Sequence, residues 1–236
     1  MRNSWLFCQK ELRSYFNSPV AYIVLSIFIF ITGFFFTSSL FLMNQASMRS
    51  LFSLVPVVFL FFVPAITMRL LAEEKRSGSI ELLVTLPTRD WEIVLGKFLA
   101  AWLLILTALA LTCIFTLTVS TLGNLDGGET VAGYVGLALL GAAFAAIGTW
   151  SSSLTRNQIV AFIIALAFIA ALTLIDDLLP VLPLGLAPVL QFLSVSYHFE
   201  NISRGVLDTR DLIYYVSLTF LMLYLAHNTL ESRKWK

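Results

Sequence analysis

The chain has 236 residues, of which 58% are hydrophobic and only 12% charged, with a formal net charge of +1. Water-soluble domains usually carry about a quarter charged residues, so this composition indicates an integral membrane protein and excludes the water-soluble classes. The nearly neutral charge gives no reason to expect a nucleic-acid partner. Cys8 and Cys113 stand alone, which argues against a disulfide framework or a metal centre.

Residues 1–18 are predicted to form an amphipathic helix that lies in the headgroup layer of the membrane. Apolar residues recur in this segment at helical spacing, whereas Lys10 and Arg13 fall elsewhere on the helical wheel. The apolar set is Trp5, Cys8, Leu12, Tyr15 and Phe16. A passive anchor is the alternative interpretation of this helix.

Six segments contain the roughly 20 apolar residues that a helix needs to cross a bilayer. They are residues 19–42, 51–71, 91–122, 131–153, 157–177 and 211–230. A seventh apolar stretch before the last segment contains Pro180, Pro183 and Pro188, which disfavour a straight helix. Residues 178–210 are therefore predicted to form short broken helices on one face.

The basic residues orient these spans. Both chain ends are basic, so both termini are predicted to be cytosolic, which requires an even number of spans. With six spans, Arg49, Arg204 and Arg210 are the only three of the 15 Lys and Arg residues left on the outer side. The sequence thus predicts a multi-pass protein of the inner (plasma) membrane, with residues 72–90 on the cytosolic side.

The interior of the predicted spans carries no Asp, Glu or Lys at mid-membrane positions, which argues against an ion-coupled carrier. The fourth span is rich in alanine and glycine, which favours close helix packing. His198 and His227 are isolated in the sequence, and each is interpreted as an interfacial histidine rather than a metal ligand.

The most polar segment is "AEEKRSGSIELLVTLPTRDWEIVLGK", which joins the second and third predicted spans. Gly78 is expected to end one helix, Ser79 to cap a short second helix, and Pro87 to stop it. That short helix is too apolar to float in water. It must lie on lipid, pack on its own bundle, or dock into a partner.

This segment resembles the cytosolic signature of the type-2 ABC transporter permease family: a double acid, a Gly-Ser-x-Glu turn, a Leu-Leu pair, a proline, and a Gly-Lys entering the next span. The preceding "FVPAITMRLLAEEK" is similar to the gliding-motility-type and copper-maturation permeases within that family. The resemblance implies one permease domain over residues 1–236. Its fold would be an all-α membrane protein with six transmembrane helices, an N-terminal interfacial helix, a cytosolic coupling helix and a broken outer segment.

The resemblance also implies partners: a separate ABC ATPase subunit, and a second permease subunit that is either identical or a distinct homologue. The expected ATPase contacts are Glu73, Glu74, Gly78, Ile80, Glu81, Leu82, Leu83, Val84 and Pro87. Lys97 follows Gly96, but Trp91 stands where a phosphate-binding loop needs glycine and Phe98 where it needs Ser or Thr. The chain is therefore predicted to be no enzyme, with no catalytic residue, metal or cofactor of its own; ATP and magnesium would bind to the partner.

The resemblance places the second and fifth spans at the interface between permease subunits. The second span offers kinks at two prolines and a phenylalanine-rich face, and the fifth ends in a pair of acids that could form an outer gate. The residues predicted for this interface and pathway are Phe52, Pro56, Phe59, Phe62, Pro64, Asp176 and Asp177. Lipid-facing aromatics and a static kink are the alternatives.

Two functions remain open on the sequence. The first is an exporter permease, for which an uncharged aromatic wall suits an apolar or amphipathic cargo. The second is a membrane scaffold that converts ATPase turnover into movement of extracytoplasmic machinery, with residues 178–210 contacting an extracytoplasmic protein. The sequence does not name the cargo.

Overall fold

The structure is a computed structural model that describes residues 2–43, 47–79, 89–178 and 187–232. Those residues fold as helices joined by short turns. The helices are α1 (Arg2–Asn17), α2 (Pro19–Met43), α3 (Arg49–Thr67), α4 (Ala72–Ser77), α5 (Asp90–Leu122), α6 (Gly127–Leu154), α7 (Gln158–Leu178), α8 (Ala187–Leu193), α9 (Val195–Ser203) and α10 (Thr209–Glu231). The all-α architecture expected from the sequence is confirmed.

Five of the six predicted spans are long and apolar enough to cross a membrane. They are Pro19–Leu42, Arg49–Ser77, Asp90–Leu122, Gly127–Leu154 and Gln158–Asp176. The sixth corresponds to α10, whose 23 residues extend over about 34 Å and so have the length for a crossing. Its polar side chains, among them Asp211, His227 and Asn228, lower its hydropathy and keep it out of that apolar set.

Helix α6 forms the centre of the bundle, because it packs against α3, α5, α7, α9 and α10 and most of its second half is buried. Its small residues allow neighbouring helices to approach closely, as the sequence predicts for the fourth span. A Cβ added at Gly141 would lie 2.8 Å from Ile105 Cγ2 of α5, and one added at Gly148 would overlap Thr67 Oγ1 of α3. The glycines thus let α3 and α5 pack directly on the α6 backbone.

The long helices run alternately up and down the bundle, so both ends of the described chain meet at one end. Helix α1 lies there against the first turns of α5, and His227 near the end of α10 stacks on Trp91 of α5 at a centroid distance of 4.9 Å. This end is called the α1 end. The opposite α9 end holds α8, α9 and the pair between Arg49 of α3 and Glu129 of α6, at 2.6 Å.

The predicted second span is interrupted near its end. Helix α3 contains both Pro56 and Pro64 and stops at Thr67, and after a turn the chain continues as α4. Gly78 caps α4 in the left-handed conformation (φ 74°), which confirms the helix break predicted there. The short helix predicted after Ser79 falls outside the described residues. The prediction of short broken helices before the last span is confirmed where this segment is described, as α8 and α9.

Candidate functional site

The candidate site consists of the two stretches of chain that flank residues 80–88, together with the helices that hold these flanks; we call this arrangement the frame. Residues 80–88, the predicted coupling segment, lie outside the described part of the chain. Helix α4 and Ser79 lead into this segment, and Arg89 with the first turn of α5 follows it. Of the predicted ATPase contacts, Glu73, Glu74 and Gly78 are described; Ile80, Glu81, Leu82, Leu83, Val84 and Pro87 are not. The geometry of the site is therefore that of the two flanks.

Helix α1 packs against the first turns of α5, which follow the coupling segment. It lies across α5 at Gly96, where an added Cβ would be 2.5 Å from Phe7 Cβ and 2.7 Å from the Ser4 carbonyl oxygen. Asn3 donates a hydrogen bond to Glu92 Oε2 at 3.0 Å, and the same oxygen accepts from the Arg89 backbone N–H at 3.3 Å. Because a side chain at residue 96 would push α1 away, glycine is required for this contact.

Lys97 joins three helices at the centre of the frame. Its Nζ lies 2.6 Å from Glu11 Oε1 of α1 and 2.8 Å from Glu74 Oε1 of α4, and its side chain is only 2% exposed. An ammonium buried to this degree is stable only when its charge is compensated, and here two carboxylates do so. We name Glu11, Glu74 and Lys97 the charge triad. It ties the flank before the coupling segment to the flank after it.

Helix α4 is also fixed to the end of α6. Ser152 Oγ accepts from the backbone N–H groups of Leu71 and Ala72, at 2.9 and 3.0 Å, and donates to the Met68 carbonyl oxygen at 3.0 Å. Lys75 Nζ donates to the Ser153 carbonyl oxygen. These bonds satisfy the backbone where the α3–α4 turn interrupts the helical pattern, and they attach α4 to the central helix.

Tyr15 connects α1 to the end of α3. Its hydroxyl donates to the Ile66 carbonyl oxygen at 3.1 Å, and the Arg69 guanidinium lies 5.0 Å from the centre of its ring. Burial raises the pKa of the Tyr15 phenol well above its ordinary value, so the hydroxyl keeps the proton that it donates. Arg69 and the charge triad line an open polar cavity of about 350 Å³, together with Lys10, Ser14 and Glu73.

The sequence did not reveal this role for α1. Its apolar face was predicted to rest on lipid, but Cys8 and Tyr15 are buried against protein, while Trp5 remains 52% exposed. A signal was nevertheless present: a lysine directly after a glycine, at the start of an otherwise apolar span. Such a lysine needs an anion nearby, and Glu11 on the amphipathic helix α1 was a candidate.

The structure shows that several of the residues predicted for the permease interface are buried within the subunit itself. The side chains of Phe52, Phe59 and Phe62 are buried within the subunit, where Phe59 stacks on Phe28 at 5.8 Å. Pro56 and Pro64 lie inside α3, and Pro64 is buried. Asp176 is half-buried near the end of α7, and the side chain of Asp177 falls outside the described set.

The exposed apolar surface of the second and fifth spans lies on other faces. Helices α3 and α7 pack side by side. On α3 the exposed stripe runs through Ser53, Val57 and Phe61, and on α7 it runs through Ile163, Ala167 and Ala171. Each stripe recurs every four residues and so follows one face of its helix.

A comparison with protein families places residues 42–227 under a family model described as an ABC-2 family transporter protein. The match covers the chain from the end of α2 to His227 in α10, and so includes both flanks of the coupling segment. No curated protein matches the chain significantly.

Proposed function

Because the chain belongs to the ABC-2 family of transporter proteins, and is thus a membrane permease subunit of an ABC transporter, we propose that it exports its cargo with power from a separate ATPase subunit. The observation that carries this proposal is the frame around residues 80–88. Both flanks of that segment are fixed to α1 and to each other through the charge triad. A force applied to the segment therefore reaches three helices at once.

The ATPase is proposed to dock on the apolar side chains of the coupling segment, Ile80, Leu82, Leu83 and Val84. Glu73, which is exposed, and Glu81 are proposed to provide polar contacts at the rim, whereas Glu74 is engaged by Lys97 and acts within the frame. This arrangement puts the α1 end, with both termini, on the cytosolic side of the inner membrane. The excess of basic residues at that end supports the same orientation.

Leu83→Asp is expected to weaken binding of the ATPase at least about tenfold, because burying one such side chain is worth about 1.5–3 kcal/mol. The measurement is recovery of the ATPase with the purified permease, together with stimulation of ATP hydrolysis. Leu83→Met, which conserves volume, is the matched control and should bind normally. Undiminished recovery with Leu83→Asp would show that the segment rests on lipid instead.

The alternative function, mechanical transmission to extracytoplasmic machinery, predicts the same ATPase contact. The two are separated by the purified complex itself: ATP-dependent movement of lipid or of an apolar peptide across a liposome membrane supports the exporter. Hydrolysis without movement of either, combined with copurification of an extracytoplasmic protein, favours the mechanical role.

A second permease subunit, identical or a distinct homologue, is proposed to dock on the exposed faces of α3 and α7. What supports this is the continuous apolar surface of two neighbouring helices, with Ala167 and Ala171 permitting close approach. The area lies on the spans that the sequence predicted for the interface, although on faces other than the phenylalanine-rich one.

Two tagged copies, one carrying Phe61→Cys and the other Ile163→Cys, are expected to form a disulfide between subunits when both native cysteines are replaced by serine. If the partner is a distinct homologue, Phe61→Cys should instead crosslink to that permease, identified by mass spectrometry. Ile213→Cys on α10, which is 67% exposed, is the control position. Crosslinking through residue 213 alone would contradict the proposed interface.

A further inference from the structure

A second buried polar cluster lies at the α9 end, where α8, α9 and the first turn of α10 meet. His198 of α9 and Asp211 of α10 are both buried, with side chains 2% and 4% exposed. The His198 ring stacks on Tyr214 at a centroid distance of 4.0 Å. Neither residue takes part in the frame at the α1 end, and the sequence treated this histidine as isolated.

Both nitrogens of the His198 ring face oxygen acceptors. Nδ1 lies 2.6 Å from Asp211 Oδ1, and Nε2 lies 3.0 Å from the Phe192 carbonyl oxygen of α8. A carbonyl oxygen only accepts, so Nε2 must carry a hydrogen. The short contact between Nδ1 and Oδ1 needs a second hydrogen, held either by the ring or by the carboxyl group.

Counting these hydrogens fixes the protonation state of the pair. A neutral imidazole beside an ionised carboxylate has only one hydrogen for two contacts, so one nitrogen lone pair would face an oxygen lone pair. Satisfying both contacts therefore takes one proton more than that state supplies. The count is the same whether the pair is an imidazolium with a carboxylate or an imidazole with a carboxylic acid.

Among the described residues around the pair, no Lys or Arg side chain takes the place of that proton. Helix α8 has no ionisable residue, and α9 adds Tyr197 and Glu200, the latter paired with Arg204. Helix α10 adds Tyr214, Tyr215, Asp208 and Arg210, the last two exposed. On α7, Asp176 lies near the site, and on α6 Glu129 is paired with Arg49. Asp211 Oδ2 is buried without a hydrogen-bond partner among the described residues.

We infer that His198 and Asp211 form a proton-binding site that fastens α8 to the start of α10. With the proton bound, His198 bridges the Phe192 carbonyl oxygen to Asp211 and so joins the two helices. Without it, one of the two hydrogen bonds is lost, and α8 is held to α10 only through its last residue, Leu193, whose carbonyl oxygen accepts a hydrogen bond from Tyr214. Because the fastened state binds more protons than the released state, it is favoured at low pH and lost as the pH rises.

The neighbouring tyrosines define how far the release extends. Tyr215 donates to the Val195 carbonyl oxygen at 2.9 Å, and Tyr214 donates to the Leu193 carbonyl oxygen at 2.7 Å. Neither bond depends on the proton of the pair, because a neutral phenol donates throughout the physiological range. The last residue of α8 and the first residue of α9 therefore stay in place, and the movement is confined to the part of α8 before Leu193.

The test is a spin-label distance measurement on the full chain in lipid nanodiscs, at about pH 5 and at about pH 9. Labels are attached at Val189→Cys on α8 and Ile213→Cys on α10, both exposed, after Cys8→Ser and Cys113→Ser. We expect one narrow distance distribution at the lower pH and a distribution at least twofold broader at the higher pH. Equal distributions at the two values would overturn the inference.

Asp211→Asn provides a variant that keeps the fastened state. Its amide N–H can donate to Nδ1 of a neutral ring, which leaves the ring hydrogen for the Phe192 carbonyl oxygen. The narrow distribution should then persist at both pH values, whereas His198→Asn should give the broad one at both. A pH-dependent change in Asp211→Asn as large as in the wild type would also overturn the inference. A label pair at Ile23→Cys and Leu154→Cys, two exposed positions at the α1 end, controls for general unfolding.

Discussion

Lys97→Met is expected to lower the free energy of unfolding by about 3–5 kcal/mol, the usual cost of removing one partner from a buried ion pair. Lys97 is 2% exposed, and its loss leaves Glu11 and Glu74 close together without the cation that contacts both carboxylates. The chain would be measured by thermal unfolding in detergent. We also expect trypsin to cleave α1 faster, because the contact that holds this helix at Glu11 is gone.

Two further variants separate the buried charge from general sensitivity of this region. Lys10→Met removes an exposed lysine that lines the same cavity, and it should change stability by less than about 0.5 kcal/mol. The triple variant Glu11→Gln/Glu74→Gln/Lys97→Met removes every charge of the triad and should recover most of the loss. A Lys97→Met protein as stable as the wild type would show that the triad does not hold the frame together.

Gly148→Val is expected to be the second most damaging change, at about 1–3 kcal/mol or more, because it overfills the contact between α6 and α3. An added Cβ would lie 2.6 Å from Thr67 Cβ, an atom fixed to the α3 backbone, so the helix itself must move. The displacement would also strain the bonds from Ser152 to the α3–α4 turn. The melting temperature and the stimulation of the ATPase should therefore fall together.

The matched control for this change is Gly127→Ala at the start of α6, where an added Cβ meets nothing within 4 Å. It should leave the melting temperature almost unchanged. Adding Thr67→Gly to Gly148→Ala removes the overlapping side chain and should restore part of the stability lost in Gly148→Ala. If Gly148→Val melts like the wild type, α3 and α6 are not held at the separation described above.

The spans were the most predictable part of the fold, because length and hydropathy decide them almost alone. Helix α10 shows the limit of this rule. Its tyrosines, Asp211 and His227 contact other residues of the protein, so its hydropathy alone underestimates how well it fits into the bundle. The small residues of α6 predicted close packing, and Gly141 and Gly148 confirm it. The break at Gly78 was predictable because a left-handed residue favours glycine.

The candidate site was only partly predictable, because its contacts join residues far apart in the chain. Lys97 and Glu11 are separated by 86 positions, and no local pattern pairs them. The phenylalanines of α3 show a different limit: a helical stripe of aromatics indicates one face, but it does not say whether lipid, a partner or the protein core covers it. The core covers Phe52 and Phe59. The docking of the ATPase on residues 80–88 stays a prediction.

The position of α1 across Gly96 has a consequence for biogenesis. Asn3 bonds to Glu92, 89 residues later in the chain. At ordinary synthesis rates, roughly 5 to 20 s pass between the emergence of these two residues from the ribosome. During that interval α1 has neither Lys97 nor the groove at Gly96 to hold it, and it can rest only on the membrane surface. Helix α1 therefore reaches its final place only after the third span has been inserted.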